Sequence, residues 1–543
     1  MARKGSAYLI WLISLQLRAG KMPILSNTRK NVDMVVVGSG AAGSAIAAKM
    51  AAAGQSVVLL EAGPERKLSD LVSSQIWARK LKWSGSHVEE GGNHTVNHGF
   101  NAGFGSGGSA LHHYGVWPRL HENDFNVRSR YGRGLDWPIS YDHLRPYYDE
   151  VQSELGLSGD AKSEVWRPPG EPYPMPPLPI FKQGEVIAAG FEKLGKKTAP
   201  IPMAINSQVF NGKPPCSFDG WCDAGCPIGA LKNPLVIHLA EAKRLGVDIR
   251  YGSQVSRIIA GERAKKEINA IEYYDNTGEP HKLNTKTIVL AAYTVQTARI
   301  LLNSEWSDGI KLGNESGNLG KYLTTHPGIS VFGLFKDETD PHFGPTGGQL
   351  ICQDAYEKKD FVNGAFGSYQ WLIANALKVN DYAGYAITRP DMFGRKMKAF
   401  LEKASRHVGN MLCIAEDSSS FENQITLSSH KDKFGIPLAS TFHDSGPEQD
   451  KLMEHSLKEG KEIFRAGGAT EVWNTPRKAI HIMGGTVMGK DPNRSVTDEY
   501  GRVHSTDNVF VAGPGLFPTS GAVNPTFSVY ALAYRTADHL LNT

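Results

Sequence analysis

The length, composition and charge of the chain describe a globular protein of more than one domain. Its 543 residues exceed an ordinary single domain, and 41% hydrophobic residues with 58 glycines are typical of an α/β protein with many loops. The net charge is only +4, from 59 basic and 55 acidic residues, and there is no basic block. This balance excludes a nucleic acid as partner, and two closely associated domains are expected.

The first thirty residues leave two interpretations open. Arg3 and Lys4 precede an apolar segment over residues 7–17, which has the form of a short signal-peptide core but lacks a small-x-small exit. Met22 begins a natural lead-in to the next segment, so residues 1–21 are either an export signal or an upstream start. No stretch reaches transmembrane length, so membrane contact is expected only through a partner.

Residues 32–63 carry a strand, a glycine turn, a helix and a second strand. The apolar run 32–37 predicts a buried parallel strand, residues 41–53 a helix of small side chains, and residues 56–60 a second strand that ends at Glu61. A Gly-x-Gly-x-x-Gly turn joins the first strand to the helix. This order, with an acid at the end of the second strand, predicts a dinucleotide site rather than a merely structural turn.

The three glycines of this turn have separate functions. Gly38 permits the tight turn, Gly40 lets the backbone approach a pyrophosphate, and Gly43 lets the helix pack on the strand. The helix N-terminus faces the phosphate charge, and Ser39 and Ala42 are assigned to the same cofactor contact.

Glu61 selects among the dinucleotides. Its carboxylate is placed to accept hydrogen bonds from a ribose. The same charge would repel a 2′-phosphate, which favours FAD or NAD over NADP.

A second glycine-rich loop spans residues 103–119. Such loops let the backbone approach a flat or charged cofactor, although a surface turn is the alternative. Two histidines directly after the glycines favour the cofactor, because imidazoles are versatile near redox groups. The predicted cofactor contacts of this loop are Gly107, Gly108, Ser109, His112 and His113.

The later parts of the chain alternate between two patterns. The buried run 287–292 feeds a helix, as in the last strand–helix step of a dinucleotide domain. Between residues 327 and 472 alternating strands predominate, with a charged helix at 446–465, which predicts a mainly antiparallel substrate domain. The tail 509–543 predicts a strand, a loop and a helix that begins near Asn524.

Several motifs together carry a family resemblance. The sequence reads HIMGGTVMGKDP from His481 and DNVFVAGPGLFPTSGAVNPTFSVYALAYRTADHL from Asp507. Together with the two glycine loops and AAYTVQTARILLNS, these motifs resemble the glucose-methanol-choline (GMC) oxidoreductases, FAD enzymes that oxidise alcohols. The matched motifs are spread over residues 32–540 in the family's order.

The resemblance implies a fold and its division. The fold class is α/β plus α+β, with a discontinuous Rossmann-like FAD-binding domain and a mainly antiparallel substrate domain. The implied boundaries are 1–30 for the N-terminal extension, 31–120, 225–326 and 473–543 for the FAD-binding domain, and 121–224 and 327–472 for the substrate domain.

The family's catalytic pair falls on His481 and Asn524. Alcohol oxidation needs a base for the hydroxyl proton, which neutral imidazole can be, and an amide beside it can orient the hydroxyl without competing for the proton. The alternative is that His481 is a core histidine whose ring nitrogens are hydrogen-bonded within the protein. The resemblance also assigns cofactor contacts to Gly513, Pro525 and the backbone of Val255 beside the adenine.

Three further positions compare individually with the family. In some members the residue that corresponds to His112 bonds covalently to the flavin 8α-methyl carbon; the alternative is packing on the flavin edge. Many members have Thr at Gly485 and Gly at Tyr293, so the local shape near substrate and adenine is expected to differ.

Three of the five cysteines form a cluster in the sequence. Cys216, Cys222 and Cys226 follow the spacing C-x5-C-x3-C, with Pro227 after the last. A disulfide with a free thiol, a zinc site that lacks a fourth ligand, and an iron–sulfur cluster on three thiolates all compete. The spacing alone leaves these interpretations open.

The resemblance favours the cluster. The pattern is similar to the branch that comprises the catalytic subunits of bacterial FAD-dependent glucose, gluconate, sorbitol and fructose dehydrogenases. It implies a [3Fe-4S] cluster in the loop 214–230, a multi-haem cytochrome c subunit, and a small accessory subunit that carries the export signal. The expected location is the periplasm or the periplasmic face of the inner membrane, with the cytoplasm as the alternative.

The sequence therefore predicts a cytochrome-coupled dehydrogenase of a sugar, polyol or glycoside. An oxygen-using oxidase of the same fold and a redox-silent lyase are the alternatives, and neither needs a one-electron carrier. Cys352 and Cys413 lie on isolated apolar segments and are predicted core residues.

Overall fold

Three β-sheets organise the protein. The computed structural model describes residues 31–386 and 388–543, so the interpretations of residues 1–30 lie outside the described part of the chain. Two of the sheets have seven strands and the third has three.

The β-strands are numbered in the order in which they occur along the chain. They are β1 (Asn31–Val37), β2 (Val57–Glu61), β3 (Val88–Gly91), β4 (Ala199–Pro200), β5 (Asp248–Tyr251), β6 (Gln254–Ile259), β7 (Ala270–Tyr274), β8 (Pro280–Leu290), β9 (Thr324–Leu334), β10 (Leu350–Cys352), β11 (Tyr369–Ile373), β12 (Val408–Ala415), β13 (Gln424–Lys431), β14 (Pro437–Phe442), β15 (Glu471–Asn474), β16 (Lys478–Met483) and β17 (Val509–Val511).

The α-helices are numbered in the same way. They are α1 (Ala41–Ala52), α2 (Gln75–Lys80), α3 (His98–Asn101), α4 (Val127–Tyr131), α5 (Tyr141–Leu155), α6 (Lys182–Lys193), α7 (His238–Arg244), α8 (Tyr293–Leu302), α9 (Val379–Ala386), α10 (Arg395–His407), α11 (Pro447–Ala466) and α12 (Thr526–Asn542).

The first sheet is the dinucleotide-type sheet. Its order is β5-β2-β1-β8-β7-β6, with β17 paired to β8; β5, β2, β1, β8 and β17 are parallel, and β6 and β7 are antiparallel. The predicted strand, turn, helix and strand over residues 32–60 are confirmed, as is the buried run that feeds α8. Strands from the start, middle and end of the chain thus meet in one sheet.

Helix α1 packs closely because its side chains are small. Its buried face contains Ala45, Ala47 and Ala48, which lie in one apolar core with residues of α12. Helix α5, which falls within the range 121–224 predicted for the substrate domain, also packs against α12 in this core. The structure does not by itself define domain boundaries, which stay a prediction.

The second sheet is antiparallel throughout. Its order is β15-β9-β12-β11-β10-β4, with β16 also paired to β9. Side chains alternate between its faces: Trp371 packs beneath helices α6 and α11, whereas Leu372, Leu412 and Ile414 lie on the opposite face. The predicted antiparallel sheet and its charged helix α11 are confirmed.

The third sheet, β13-β14-β3, is small. None of the helices within residues 31–386 and 388–543 is both long and apolar enough to cross a bilayer. The fold thus joins a Rossmann-like parallel sheet to a second part built on an antiparallel sheet, as the sequence predicts.

Replacing Gly43 by Ala tests the packing of the first strand–helix unit. A Cβ at this position would lie 2.0 Å from the Gly38 carbonyl oxygen, so backbone must move. We expect a loss of stability of about 1–3 kcal/mol, the usual cost of overpacking, together with weaker FAD retention. Thermal unfolding and the absorbance of bound flavin measure both effects.

Gly384→Ala is the matched control. Gly384 also lies in a helix, α9, and a Cβ there meets nothing within 4 Å. Its replacement should stabilise the protein by about 0.5–1 kcal/mol, because Gly is costly in a helix interior. If both variants behave alike, the close contact at Gly43 is not what constrains this turn.

Candidate active site

A cavity of about 290 Å³ lies between the two large sheets. One side is formed by the carboxyl ends of β1, β2 and β8, which is the edge where parallel sheets bind their ligands. The opposite wall is the inner face of the antiparallel sheet, with Leu372, Leu412 and Ile414. The cavity therefore has one polar end built from backbone and one apolar wall.

Most of the site residues predicted from the sequence line this cavity. They are Gly38, Ser39, Gly40, Ala42, Glu61, Gly108, Ser109, His112, His113, Val255, His481, Gly513, Asn524 and Pro525.

Five predicted residues lie elsewhere. Gly43 is behind the turn against Gly38, and Gly107, within the second loop, has a φ of +84°. The three cysteines of the cluster motif also do not line the cavity. The structure thus separates cavity-lining residues from the glycines that only shape the loops.

The first glycine turn fits a phosphate group. Gly38 has a φ of +99°, and a Cβ there would lie 2.5 Å from the Ala291 carbonyl oxygen. Gly40 is the N-cap of α1 and provides no side-chain cap, so the first N–H groups of the helix are left for a ligand. A bound pyrophosphate could accept hydrogen bonds from these N–H groups, and no neighbouring side chain would obstruct it.

Glu61 connects the second strand to the glycine turn. Its Oε2 accepts the Ser39 N–H at 3.0 Å and the Ser39 hydroxyl at 2.7 Å, and its Oε1 accepts the Gly63 N–H at 2.9 Å. Its Oε1 also accepts the Gly105 N–H at 3.3 Å, so the protein itself supplies about as many hydrogen bonds as a carboxylate can accept, and the ribose contact stays a prediction. Glu61 therefore shapes the turn as well as facing the cavity.

The two adjacent histidines, His112 and His113, differ in which of their ring nitrogens make hydrogen bonds. His113 uses both ring nitrogens, because Nε2 donates to the Lys232 carbonyl at 2.8 Å and Nδ1 accepts the Gly115 N–H at 3.2 Å. His112 contacts the Lys82 Nζ through Nδ1 at 3.0 Å, and its buried Nε2 has no partner among the described residues. That Nε2 is the atom a covalent flavin link would use; the link itself stays a prediction.

Burial also keeps both rings neutral. It lowers the pKa of His113 to about 4 and that of His112 well below its usual value, with the Lys82 charge as a further cause for His112. The lysine itself is affected, since burial lowers the pKa of Lys82 to about 8.

His481 lies on a bulge of strand β16. The pairing with β9 shifts register between Ile480 and Ile482, and His481 has a φ of +60°. Its backbone N–H donates to the Asn101 Oδ1 at 3.1 Å, which holds this left-handed conformation. A bulge redirects a side chain out of the strand's alternation, and here the imidazole lines the cavity.

A second imidazole, which the sequence reasoning missed, contacts His481. The Nδ1 atoms of His481 and His326 are 2.8 Å apart. Burial lowers the pKa of His326 to about 4, and burial with the neighbouring His326 lowers the pKa of His481 well below its usual value. His326 lies in strand β9, whose residues are all buried. A histidine at an inward position of such a strand is the sequence signal that could have identified it.

Asn524 faces the cavity from the loop before α12. Its Oδ1 accepts a hydrogen bond from the Gln370 Nε2 at 3.1 Å, and the Gln370 Oε1 accepts one from the Gln353 Nε2 at 3.0 Å. This amide chain leaves the NH₂ group of Asn524 for the cavity. Gln370 was also missed, although a glutamine inside the buried strand β11 is a readable signal.

Tyr293 occupies the position where many family members have glycine. It has a φ of +48°, the left-handed conformation that glycine adopts most easily. Its hydroxyl bonds with the His98 Nε2, and its ring lies at 5.7 Å from that of Trp83. The tyrosine thus keeps the glycine backbone conformation and adds an aromatic wall to the cavity.

The cysteine motif forms a loop of left-handed turns next to the apolar wall. Each sulfur accepts one backbone N–H: Cys216 from Phe218 at 3.3 Å, Cys222 from Thr346 at 3.5 Å and Cys226 from Leu231 at 3.5 Å. Burial and the neighbouring thiols raise the pKa of Cys216, to about 11, and of Cys222. Within residues 31–386 and 388–543, no three His, Cys, Asp or Glu side chains, these cysteines included, are grouped so that they could hold a metal ion.

The fold and the cavity define an oxidoreductase that binds a dinucleotide and acts on a small molecule between two sheets. GMC oxidoreductase profiles match residues 32–328 and 419–533, which is most of the chain. The chain belongs to the GMC oxidoreductases. It is accordingly an FAD enzyme that acts on CH–OH groups.

Individual relatives cover nearly the whole chain. The fructose dehydrogenase large subunit of Gluconobacter japonicus is 31% identical over 95% of this chain and 99% of its own length. The gluconate 2-dehydrogenase flavoprotein of Pantoea cypripedii is 25% identical over 95% of both chains. A solved formate oxidase, at 16% identity, superposes with a TM-score of 0.68 over 94% of this chain and 98% of its own, which shows the shared fold.

Replacing Glu61 by Lys tests the cofactor end of the cavity. The substitution removes the acceptor of the Ser39 and Gly63 N–H groups and places a positive charge at the ribose position. We expect purified protein with little bound FAD and a much weaker Kd in flavin-fluorescence titrations. Glu65→Lys is the control, because Glu65 pairs only with the exposed Lys243 outside the cavity. Full FAD occupancy in Glu61→Lys would contradict the assignment.

Proposed function

We propose that the protein is the catalytic subunit of an FAD-dependent dehydrogenase that oxidises an alcohol group of a sugar, polyol or glycoside. One observation carries this proposal: His481 and Asn524 present free polar atoms to the same cavity that receives the glycine-cradled dinucleotide end. The names of the fructose and gluconate dehydrogenases among its relatives support the substrate class.

The roles of the two residues follow from their chemistry. The neutral imidazole of His481 accepts the hydroxyl proton of the substrate, and the NH₂ group of Asn524 donates to the hydroxyl oxygen and orients it. Bound FAD supplies the hydride acceptor. The apolar wall of Leu372, Leu412 and Ile414 excludes water from the carbon that loses the hydride.

The cavity also offers a polar group to a substrate with several hydroxyls. Lys478 lines it close to His481, and burial lowers the pKa of its ammonium group. This group can donate to a further hydroxyl. A panel of sugars, polyols and glycosides, assayed with an artificial dye acceptor, would identify the substrate and help to locate the carbon that is oxidised.

His481→Ala should lower turnover by about 10²–10⁴-fold, the usual contribution of a general base, while FAD stays bound. Dye-coupled steady-state kinetics on a substrate of the panel measures this. In the wild-type enzyme, kcat/KM should stay level as pH falls through 6.5, because the pKa of His481 lies well below that value and the imidazole remains neutral.

The control for His481→Ala is His430→Ala, which removes an exposed imidazole whose Nδ1 contacts Glu89 at 2.8 Å in the small sheet. Its turnover should equal that of the wild type. Near-normal turnover of FAD-loaded His481→Ala would contradict the assignment of His481 as the base.

For electron exit, we propose a [3Fe-4S] cluster on Cys216, Cys222 and Cys226. Two observations support it: each sulfur accepts a backbone N–H, and the thiols are close enough to raise one another's pKa. When bound, the cluster would supply a one-electron carrier between the two-electron flavin and a haem.

The route between cavity and thiols supports this proposal. Leu372, Leu412 and Ile414 line the cavity and belong to the same apolar cluster as Cys222. Cys216 and Cys226 pack against that cluster from the outside. The substrate cavity and the cysteine loop therefore border the same apolar cluster.

The proposed acceptor is a multi-haem cytochrome c subunit, accompanied by a small accessory subunit that carries the export signal. The description of one relative as a large subunit supports a multi-subunit assembly. Three aromatic rings beside the loop offer a contact surface: the half-buried rings of Phe181 and Phe218 lie 5.2 Å apart, and the exposed ring of Phe343 lies 5.9 Å from that of Phe181. The proposed location is the periplasm.

Cys222→Ser should leave flavin reduction by substrate intact and cut electron delivery to a cytochrome or an electrode. Anaerobic stopped-flow spectroscopy measures the first reaction and voltammetry the second. Cys352→Ala is the control, because Cys352 is a buried core residue of β10 and its loss should change neither reaction.

Iron and acid-labile sulfide analysis decides the cluster. Wild-type protein from iron-replete, anaerobically handled cells should contain both. If it contains neither, the cluster is refuted and the oxygen-using oxidase takes first place, with oxygen consumption as its assay.

A further inference from the structure

We propose that His326 is a positioning residue that fixes the ring tautomer of His481, so that the unprotonated Nε2 of His481 faces the cavity. This inference rests on the proposed function, because it explains how His481 is held ready as a base. It follows in three steps from the partners of the two imidazoles.

The first step concerns the Nε2 of His326. It lies 3.1 Å from the Ser520 carbonyl oxygen and 3.0 Å from the Gly521 carbonyl oxygen. A carbonyl oxygen can only accept a hydrogen bond, so an unprotonated Nε2 would face two lone pairs. The proton of His326 is therefore on Nε2. Both carbonyls belong to the loop that ends in Asn524, so one loop supplies the amide and fixes this imidazole.

The second step is the charge of His326. The charged groups that act on it are Asp417 and Asp124, besides the ring of His481. Asp417 contacts His443 at 2.7 Å, and Asp124 contacts Lys359 at 2.7 Å, a lysine that also contacts Glu416 at 2.6 Å, so both carboxylates are engaged by groups other than His326. Since burial also lowers the pKa of His326 to about 4, the ring is neutral and its Nδ1 carries a lone pair.

The third step assigns the shared proton. The two Nδ1 atoms are 2.8 Å apart, a distance that requires a hydrogen between them. Because the Nδ1 of His326 is the acceptor, the Nδ1 of His481 is the donor. A neutral imidazole carries one proton, so the Nε2 of His481 is unprotonated. That atom has no hydrogen-bond partner among the residues that the structure describes, and the ring lines the cavity.

The hydrogen bond between His481 and His326 also supports proton transfer from the substrate. When the Nε2 of His481 takes the substrate's hydroxyl proton, its Nδ1–H keeps donating to His326, and no ring has to turn. The imidazolium is stabilised by a stronger, charge-assisted hydrogen bond. His326 need not touch the substrate for this effect.

Two substitutions of His326 separate its function from its bulk. In His326→Gln, the side-chain oxygen can accept from the His481 Nδ1–H while the NH₂ group donates to the Ser520 and Gly521 carbonyls. In His326→Leu, neither bond is possible. We expect His326→Leu to lower kcat by about 10–100-fold with little change in KM, as for other outer partners of a reactive group, and His326→Gln to recover most of the loss.

The controls are bound flavin, melting temperature and a matched variant. His238→Gln replaces another buried histidine, which bonds with the Tyr534 hydroxyl at 2.7 Å and does not line the cavity. Its kcat should equal that of the wild type. Equal kcat values for FAD-loaded His326→Leu and wild type, or equal losses in the Leu and Gln variants, would overturn the proposal.

The tautomer can also be read without turnover. In protein labelled with ¹⁵N-histidine, the His481 signals are identified by their loss in His481→Gln, and wild type should show a protonated Nδ1 and an unprotonated Nε2. A protonated Nε2 in neutral His481 would overturn the proposal even if His326→Leu fails to fold. Wild-type protein that shows the expected tautomer but oxidises no alcohol would refute the proposed function alone.

Discussion

The pairing of β16 with β9 is the interaction on which the active site depends. Strand β9 belongs to the antiparallel sheet, and β16 leads from that sheet into the glycine turn at Gly484, whose N–H bonds to the Pro514 carbonyl of the cofactor side. The bulge in this pairing turns His481 into the cavity and brings it against His326. If the register shifted, the base, its partner imidazole and the junction of the two sheets would all be displaced together.

Burial gives this site its electrostatic character. The imidazoles of His112, His113, His326 and His481 all have lowered pKa values because a low-dielectric surrounding disfavours their charged forms. Neutral rings can accept protons and direct their hydrogen bonds, whereas charged ones could only donate. The buried carboxylates nearby, Asp417 and Asp124, contact His443 and Lys359, so the proposed proton transfer is left to the neutral imidazoles.

The antiparallel sheet serves two sites because its faces alternate. One face of β11 and β12 packs beneath helices, and the other supplies the wall that separates the cavity from the cysteine loop. In the proposed enzyme, such an apolar wall would exclude water from the substrate and would also keep the proposed one-electron carrier close to the cavity. The amide chain from Gln353 through Gln370 to Asn524 crosses the same sheet and holds the orienting amide in place.

The sequence by itself determined the dinucleotide turn, the order of its strands and helix, and the catalytic His481 and Asn524 as candidates, because glycine spacing, apolar periodicity and motif order are local properties of the chain. Tertiary structure alone decided that His326 and Gln370 contact these residues, since 155 positions separate His326 from His481 and 154 separate Gln370 from Asn524. Such contacts arise from strand register and a bulge, which no local pattern encodes. The same holds for Tyr293, whose left-handed backbone at a position typical of glycine is tolerated only because His98 and Trp83 hold its ring.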